Sequence, residues 1–410
     1  MSTAAPIHNN SPQVTLRYLF FTFFKIGMVS FGGHMALVAV IKNIMVDKDK
    51  TLQHETILDA VGIGSLLPGP LAVNVVAYIG YQLKKTAGAA LSMTAVILPA
   101  SMAMLILSWA YFRFGYHQQF KEIMYYVTGA VSAIILSTGL QLYMKELKDS
   151  VLKTVMCAIS IILLLITKNF LLTMACIIAG GIVGVYMKMG QKNTDAMQQK
   201  GSPYKLAFNK TSALIIVCLA VIVLLFITNV QQFIPFISAK IVLIFSGISL
   251  SLFGGGYVMI PIMQSLFVTD LAWLSQQEFL DAIAFSQSTP GPILVSATFI
   301  GYKLAGFAGA LLATVAIFAP SAVLIILVSR VYAGFKNQPA IKNALTGIKA
   351  VVIGLIIGAA ISIGQQAHWN IALTIITAIA FICSFRFKLS PIYIITASAL
   401  AGTIIWFVSK

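Results

Sequence analysis

The chain alternates long apolar stretches with short polar ones. Thirteen apolar segments come near the length of about 20 residues that a helix needs to cross a bilayer. They lie near residues 16–41, 57–83, 87–112, 123–144, 151–167, 170–189, 211–230, 237–267, 277–302, 306–332, 341–363, 369–385 and 389–408. One long polar stretch, at residues 187–210, carries five lysines and predicts a cytoplasmic linker.

Two of these segments contain the sequence Pro-Gly-Pro, at residues 68–70 and 290–292. Proline lacks an amide proton and disrupts the preceding helical turn, and glycine adds backbone freedom. Irregular backbone at membrane depth is tolerated only where it is buried in protein or lines a wet cavity. We therefore expect broken or re-entrant helices in the segments near 57–83 and 277–302.

The two breaks belong to an internal repeat. The Phe-Gly-Gly sequences at residues 31–33 and 253–255 are separated by 222 positions, and Asp59 and Asp281 have the same separation. The Pro-Gly-Pro sequences match at this separation as well. Such agreement in order and spacing indicates an ancient duplication.

The duplication divides the chain into three parts. Residues 1–190 form the first repeat, residues 191–236 a linker with a connecting transmembrane helix, and residues 237–410 the second repeat. The second copy begins an odd number of segments after the first, so the copies should have opposite orientations. This parity fails if only one Pro-Gly-Pro segment is re-entrant. The predicted fold is an all-α polytopic membrane protein with two inverted-topology repeats and with broken or re-entrant helices at the Phe-Gly-Gly and Pro-Gly-Pro motifs. This pattern is typical of secondary transporters.

Composition supports a membrane protein. Hydrophobic residues make up 59% and charged residues 9% of the chain, whereas soluble domains average about 25% charged residues. The net charge of +16 fits basic loops that face anionic lipid, and it predicts no nucleic-acid partner. The distribution of lysine and arginine favours a cytoplasmic N-terminus. The four cysteines have no metal-binding or redox spacing.

Enzymatic chemistry has little support in the sequence. It contains no G-x-x-x-x-G-K-[ST] phosphate-binding motif and no H-E-x-x-H metal motif. We therefore expect no catalytic residues, no metal and no cofactor, and no direct use of ATP. Two classes remain open: a secondary transporter driven by an ion gradient or by exchange, and a passive anion channel with the same architecture.

Candidate binding residues lie at and beside the breaks. Bare amides in glycine-rich turns and at the starts of half-helices favour anions, and nearby polar side chains could replace the hydration of an oxyanion. Close helix packing and simple kinks are the structural alternatives. The candidates are Gly32, Gly33, Gly254, Gly255, Gly256, Pro68, Gly69, Pro70, Pro290, Gly291, Pro292, Asn74, Ser296, Gln287, Ser288, Thr289 and Lys25. Residues 287–289 are polar where residues 65–67 are mostly apolar, so the second copy is predicted to bind the substrate.

Five charged or titratable residues interrupt the apolar frame. Lys25 could neutralise a bound anion or reach the interface, and Lys349 poses the same choice. Asp59 and Asp281 could carry a proton, pair with a lysine or favour a helix N-terminus. His34 could titrate near neutral pH or be an ordinary polar group.

The repeated motifs also resemble a known family. The stretches "FGGGYVMIPIM", "DAIAFSQSTPGPILVSATFIGY" and "FAGALLATVAIFAPS" look like the signature of the chromate ion transporter family, and "FGGHMALV" and "LLPGPLAVNVVAYIGY" look like its first-half copy in two-domain members. The resemblance covers roughly residues 17–130 and 238–350. His34 departs from it, because a small residue or proline is more usual there.

The resemblance implies a bacterial inner-membrane transporter of a small inorganic oxyanion, with chromate efflux as the named activity. Sulfate has a similar shape and charge, and the sequence does not separate exchange with sulfate from transport of chromate alone. It also leaves open whether the chain acts alone or as a homodimer in the lipid bilayer.

Overall fold

The computed structural model describes residues 14–31, 34–115, 117–167, 169–189, 210–228, 234–253, 256–329, 339–367 and 369–408. Every regular element in this part of the chain is a helix, so the predicted all-α architecture is confirmed. Each of the thirteen predicted segments contains helical structure. Five helices are long and apolar enough to cross a membrane, which makes the chain a multi-pass membrane protein.

The first half of the described chain contains eight helices. They are α1 (Leu16–Val29), α2 (His34–Ile41), α3 (His54–Leu66), α4 (Leu71–Phe114), α5 (Gln118–Glu146), α6 (Val151–Thr167), α7 (Phe170–Tyr186) and α8 (Lys210–Ile227). A π-helical segment, Lys42–Lys48, extends α2.

The second half has seven helices in the same order. They are α9 (Ile237–Ser251), α10 (Met259–Met263), α11 (Gln276–Ser288), α12 (Ser296–Ser329), α13 (Pro339–Gln366), α14 (Ile371–Phe385) and α15 (Pro391–Val408). A π-helical segment, Gln264–Asp270, extends α10 as its counterpart extends α2. Helices α1–α7 and α9–α15 therefore match element by element, and α8 connects them.

The first apolar run of each repeat folds as a hairpin. Helix α1 has 14 residues, about 21 Å, which is shorter than the roughly 30 Å of a hydrocarbon core. The Tyr18 hydroxyl donates a 2.6 Å hydrogen bond to Asp49, so the chain returns to where α1 began. In the second repeat, the Phe245 and Phe267 rings lie 5.3 Å apart. The helix ends before each Phe-Gly-Gly sequence, which confirms the break expected at this motif, so the apolar runs near 16–41 and 237–267 are not single helices.

The Pro-Gly-Pro segments are also hairpins. Lys303 at the start of α12 forms a 2.6 Å ion pair with Glu278 near the start of α11. Phe285 and Phe299, nearer the break, have ring centroids 6.1 Å apart. In the first repeat, Gly64 of α3 packs against the start of α4. Both segments thus reverse direction, with the Pro-Gly-Pro sequence at the tip.

Helices α4 and α12 each fold back sharply after the hairpin. The reversal occurs at Lys85, with φ +53°, and at Gly306, with φ +59°. A Cβ atom on Gly80 would lie 2.5 Å from the Gly88 carbonyl oxygen, so the two arms of α4 are in close contact. The separate segments predicted on either side of these turns are therefore confirmed.

The two repeats share their long helices. Helix α5 of the first repeat packs against α14 and α15 of the second, and α13 of the second packs against α6 and α7 of the first. The α7–α13 contact depends on glycine, because a Cβ atom on Gly347 would collide with the Gly180 carbonyl oxygen and lie 2.8 Å from the Gly184 Cα atom. Small residues commonly allow such close approach in membrane proteins.

We predict that Gly347→Val lowers stability by about 1–3 kcal/mol, because the added side chain must separate two backbones. Thermal unfolding of the purified protein in detergent measures this effect. Gly364→Ala is the matched control, since its new Cβ atom would lie an ordinary 3.7 Å from the Trp369 ring. Equal melting temperatures for wild type and Gly347→Val would contradict the packing described above.

Candidate functional site

The hairpin tips of the two repeats meet through a reciprocal pair of hydrogen bonds. The Gly69 amide donates to the Leu252 carbonyl at 2.7 Å, and the Gly291 amide donates to the Ser30 carbonyl at 3.0 Å. Ser30 and Leu252 follow α1 and α9, next to the Phe-Gly-Gly sequences. Each Pro-Gly-Pro tip therefore contacts the Phe-Gly-Gly hairpin of the other repeat. These two amides are engaged with protein, whereas the sequence suggested that the breaks free amides for an anion.

Glycine is required at both tips. Gly69 has φ +116° and Gly291 has φ +120°, a region that residues with a side chain avoid. A Cβ atom on Gly69 would collide with Ser321, and one on Gly291 would lie 2.9 Å from the Ala100 Cβ atom. Ser321 and Ala100 follow Pro320 and Pro99 in the sequence, so each tip also touches the proline-containing arm of the other repeat.

A cavity of about 460 Å³ lies beside the first tip; we call it the basic cavity. Its lining combines α3 and α5 of the first repeat with Phe253, Val258 and α13 of the second. Lys145, Glu146 and Lys349 contribute two positive charges and one negative charge. The Lys349 ammonium lies 3.7 Å from the Glu146 carboxylate, and both side chains are partly exposed. The excess positive charge suits an anion.

The predicted polar residues of the second half, Gln287, Ser288 and Thr289, do not line this cavity. Tyr257, adjacent to the lining residue Val258, has its hydroxyl 3.5 Å from Gln287 Oε1. Ser288 donates to the Ala284 carbonyl, and Thr289 donates to the Ser286 carbonyl. Those two hydroxyls are therefore occupied within α11 and at its end, while Gln287 faces the Phe-Gly-Gly hairpin.

Three buried polar atoms near the tips have no partner among the described residues. They are Asn74 Oδ1, Gln287 Nε2 and Ser296 Oγ. Asn74 and Ser296 occupy equivalent positions, one turn after the Pro-Gly-Pro sequences, and the Asn74 amide donates to the Pro68 carbonyl at 3.2 Å. An unsatisfied buried polar group costs about 1–3 kcal/mol, so such groups call for a ligand, a water molecule or a conformational change.

The other predicted residues are more scattered. Lys25 is exposed on α1, away from the basic cavity, whereas Lys349 lines it. Pro70 and Pro292 cap the helical segments after the breaks in extended conformations, and Pro68 and Pro290 precede the tip glycines. Gly256 begins a 3₁₀ turn with ordinary space around it. The residues Gly32, Gly33, Gly254 and Gly255 and the side chain of His34 lie outside the described part of the chain.

Asp281 lies in a second cavity of about 450 Å³, which we call the acidic cavity. Its side chain is 2% exposed. It accepts hydrogen bonds from the Tyr111 hydroxyl at 2.7 Å and from Gln277 Nε2 at 2.8 Å. Gln277 Nε2 also donates to Thr128 Oγ1 at 2.8 Å. The equivalent Asp59 is only half-buried, so the two aspartates differ in environment.

The two cavities lie at opposite ends of α5. The basic cavity is lined by residues 138–146 at its C-terminal end, and the acidic cavity by residues 120–125 at its N-terminal end. Residues 126–135 between them are all buried. Since α5 has 29 residues, about 43 Å, it is long enough to cross a bilayer, and a packed layer separates the two cavities near its ends.

Several site residues were missed at the level of sequence. Lys145 and Glu146 end an apolar segment and look like ordinary interfacial charges, so only the fold brings them to Lys349. Tyr111 had a usable signal, because Tyr332 lies 221 positions later, the separation of the matching glycines after the breaks. A tyrosine repeated at the same separation as the other motif residues could have marked Tyr111 as a candidate for a polar contact.

Comparison with known proteins finds relatives along nearly the whole chain. A chromate transport protein of Cupriavidus metallidurans is 28% identical over 98% of this chain and 96% of its own length. A probable chromate transport protein of Synechococcus elongatus is 28% identical over 96% of this chain and 97% of its own length. An uncharacterized transporter of Bacillus subtilis is 30% identical over 37% of this chain and 88% of its own length, the extent of about one repeat.

No solved structure matches the chain. The chromate transporter family model matches residues 17–185 and residues 239–403, one range in each half. The matched ranges contain all the hairpins and both cavities, and they confirm the family that the paired motifs indicated. The chain belongs to the chromate transporter family.

Proposed function

We propose that the protein is a secondary active transporter that moves chromate, a tetrahedral oxyanion, by alternating access. The observation that carries this proposal is the basic cavity, which has two lysines and adjoins hairpins of both repeats. The names of the Cupriavidus and Synechococcus relatives support chromate as the substrate. Sulfate has the same shape and charge, and exchange of chromate for sulfate is the form of antiport that we test first.

We further propose that the repeats have inverted orientations in the membrane. Helices α5 and α13 are equivalent, yet Glu146 at the end of α5 pairs with Lys349 in the first half of α13. Gly139, earlier in α5, packs against Ile357, later in α13. The two helices are therefore antiparallel, which supports opposite insertion of the repeats that contain them.

The charges and donors suit a dianion that loses part of its water. Lys145 and Lys349 would attract the oxyanion into the basic cavity, where charge-assisted hydrogen bonds are stronger than neutral ones. Gln287 Nε2 and Ser296 Oγ are buried donors without a described partner, and they could replace water when the hairpins rearrange. The buried middle of α5 argues against a continuously open channel.

The proposed location is the bacterial inner membrane with a cytoplasmic N-terminus. The two hairpins at the start of the chain would return to the cytoplasmic side. The second arm of α4 and helix α5 would then cross the membrane once each, so the C-terminal end of α5 would lie on the cytoplasmic side. The basic cavity would collect chromate from the cytoplasm for efflux, and the acidic cavity would face outward.

An uptake panel in proteoliposomes tests the function. We expect saturable chromate transport that is faster with trapped sulfate or an imposed pH gradient than without either. Molybdate and phosphate serve as competitors of related geometry. Absence of chromate movement under all conditions would overturn the proposal. A chromate flux that does not saturate with chromate concentration, and that depends on the chromate gradient alone, would favour a passive channel.

We predict that Lys349→Gln weakens the apparent affinity for chromate by about 1 kcal/mol, or roughly fivefold in KM. The substitution removes a positive charge and leaves Glu146 unpaired in the same cavity. Initial rates at varied chromate concentration measure the change. Lys342→Gln, an exposed lysine on α13 outside the cavity, should retain the wild-type KM; equal KM values for both variants would contradict the binding role.

We predict that Ser296→Ala weakens chromate transport but does not lower the stability of the substrate-free protein. The hydroxyl is fully buried and unpaired among the described residues, so its removal relieves a desolvation cost of about 1 kcal/mol or more. Melting temperature and chromate KM are measured together. Ser92→Ala removes a similarly buried, unpaired hydroxyl in α4 and should leave KM unchanged. A destabilised Ser296→Ala protein with normal KM would contradict this role.

A further inference from the structure

Asp281 is the more deeply buried of the two carboxyl groups that line the acidic cavity. Its two oxygens each accept one hydrogen bond, from Tyr111 and from Gln277. Among the described residues, the ion pairs in the two cavities are Lys303–Glu278 and Lys349–Glu146, and neither includes Asp281. A buried carboxylate without a cation is costly in a membrane protein, and such groups commonly mark ion or proton pathways.

The surroundings of Asp281 decide which ion it could bind. The titratable groups that face the cavity are Tyr111 from α4, Lys121 and Tyr125 from α5, and Glu278 from α11, which is neutralised by Lys303 of α12. Of the other helices packed against α11, the π-helical segment carries Asp270, which accepts a hydrogen bond from the Phe170 amide, and α15 carries the exposed Tyr393.

The contacts of the carboxylate favour a proton over a metal cation. Both close partners present hydrogens, an O–H from Tyr111 and an N–H from Gln277. A sodium or other hard cation needs several oxygen lone pairs directed at it, and these donors direct none. Thr128 accepts the second Gln277 hydrogen, which fixes the orientation of that amide.

We propose that Asp281 is the group that binds and releases the coupling proton during chromate transport. The proton adds to a carboxylate oxygen from the water of the acidic cavity and leaves by the same chemistry when the site opens to the other side. Protonation removes the buried charge, so the neutral and charged forms favour different packing of α11 against α4 and α5. This inference rests on the transport function proposed above.

The asymmetry between the repeats supports a specific role. Asp59 is equivalent in sequence but half-buried, and the position equivalent to Lys349 in the first repeat is Thr128, the residue bonded to Gln277. One end of α5 thus carries lysines for an oxyanion, while the other carries the network that holds Asp281. A carboxylate that only stabilised the start of a helix would not require lysines at one end of α5 and the Asp281 network at the other.

The experiment compares two modes of transport by Asp281→Asn in proteoliposomes. Exchange of labelled chromate for unlabelled chromate needs no net proton movement, whereas accumulation driven by a pH gradient does. We expect the variant to lose pH-driven accumulation and to retain chromate exchange. Glu122→Gln is the matched control, because it neutralises a carboxyl on α5 that lies outside the acidic cavity, and it should retain both modes.

The Tyr111→Phe variant provides a second measurement that does not depend on removing the carboxyl. Loss of this donor removes a hydrogen bond that favours the charged form, so the pH profile of net transport should shift to higher pH. The proton inference would be overturned if Asp281→Asn accumulated chromate in a pH gradient as the wild type does, or if the pH profile of Tyr111→Phe did not shift. Chromate exchange by the same proteins would still support the transport function. Failure of the wild-type protein to move chromate in either mode would overturn both.

Discussion

The structure depends on how broken backbone is satisfied at membrane depth. Lipid offers no hydrogen bonds, so every interrupted helix needs a partner within the protein. The reciprocal hydrogen bonds from Gly69 to Leu252 and from Gly291 to Ser30 meet this need, and they join the two repeats where their helices are interrupted. Neither repeat could complete its own tip alone. Each repeat thus supplies the partner for the tip of the other, and helices α5 and α13 also pack against helices of the opposite repeat.

The two repeats share the same helical arrangement but differ in the charged residues that they carry. The basic cavity combines Lys145 and Lys349 beside the first tip, and the acidic cavity encloses Asp281 beside the second repeat's hairpin. Equivalent positions differ, since Thr128 corresponds to Lys349 and the half-buried Asp59 corresponds to Asp281. In the proposed mechanism, symmetry would supply two similar conformations, and the unequal charges would give each membrane face a different ligand. That combination suits coupled transport better than passive flow.

Much of the fold could be predicted because its signals are local or repeated. Apolar length identified the helices, and constant spacing identified the matching breaks. The breaks at the Phe-Gly-Gly sequences were predicted from the repeated glycines, although the apolar run that continues through residues 31–33 does not show where the chain reverses. The preference for the second tip as the substrate site stays a prediction, and the basic cavity adjoins Gly69 of the first tip. Its lysines come from two distant helices, and no pattern in a single sequence pairs them.

Opposite insertion of the repeats is the claim on which the alternating-access account rests most directly. Single cysteines at Lys84 and Ala305, in a protein whose four native cysteines are replaced, mark the equivalent turns after the two hairpins. Membrane-impermeant maleimide applied to intact cells and to inverted vesicles reports the face on which each turn lies. The account predicts that the two positions are labelled from opposite sides. Labelling of both positions from the same side would contradict it.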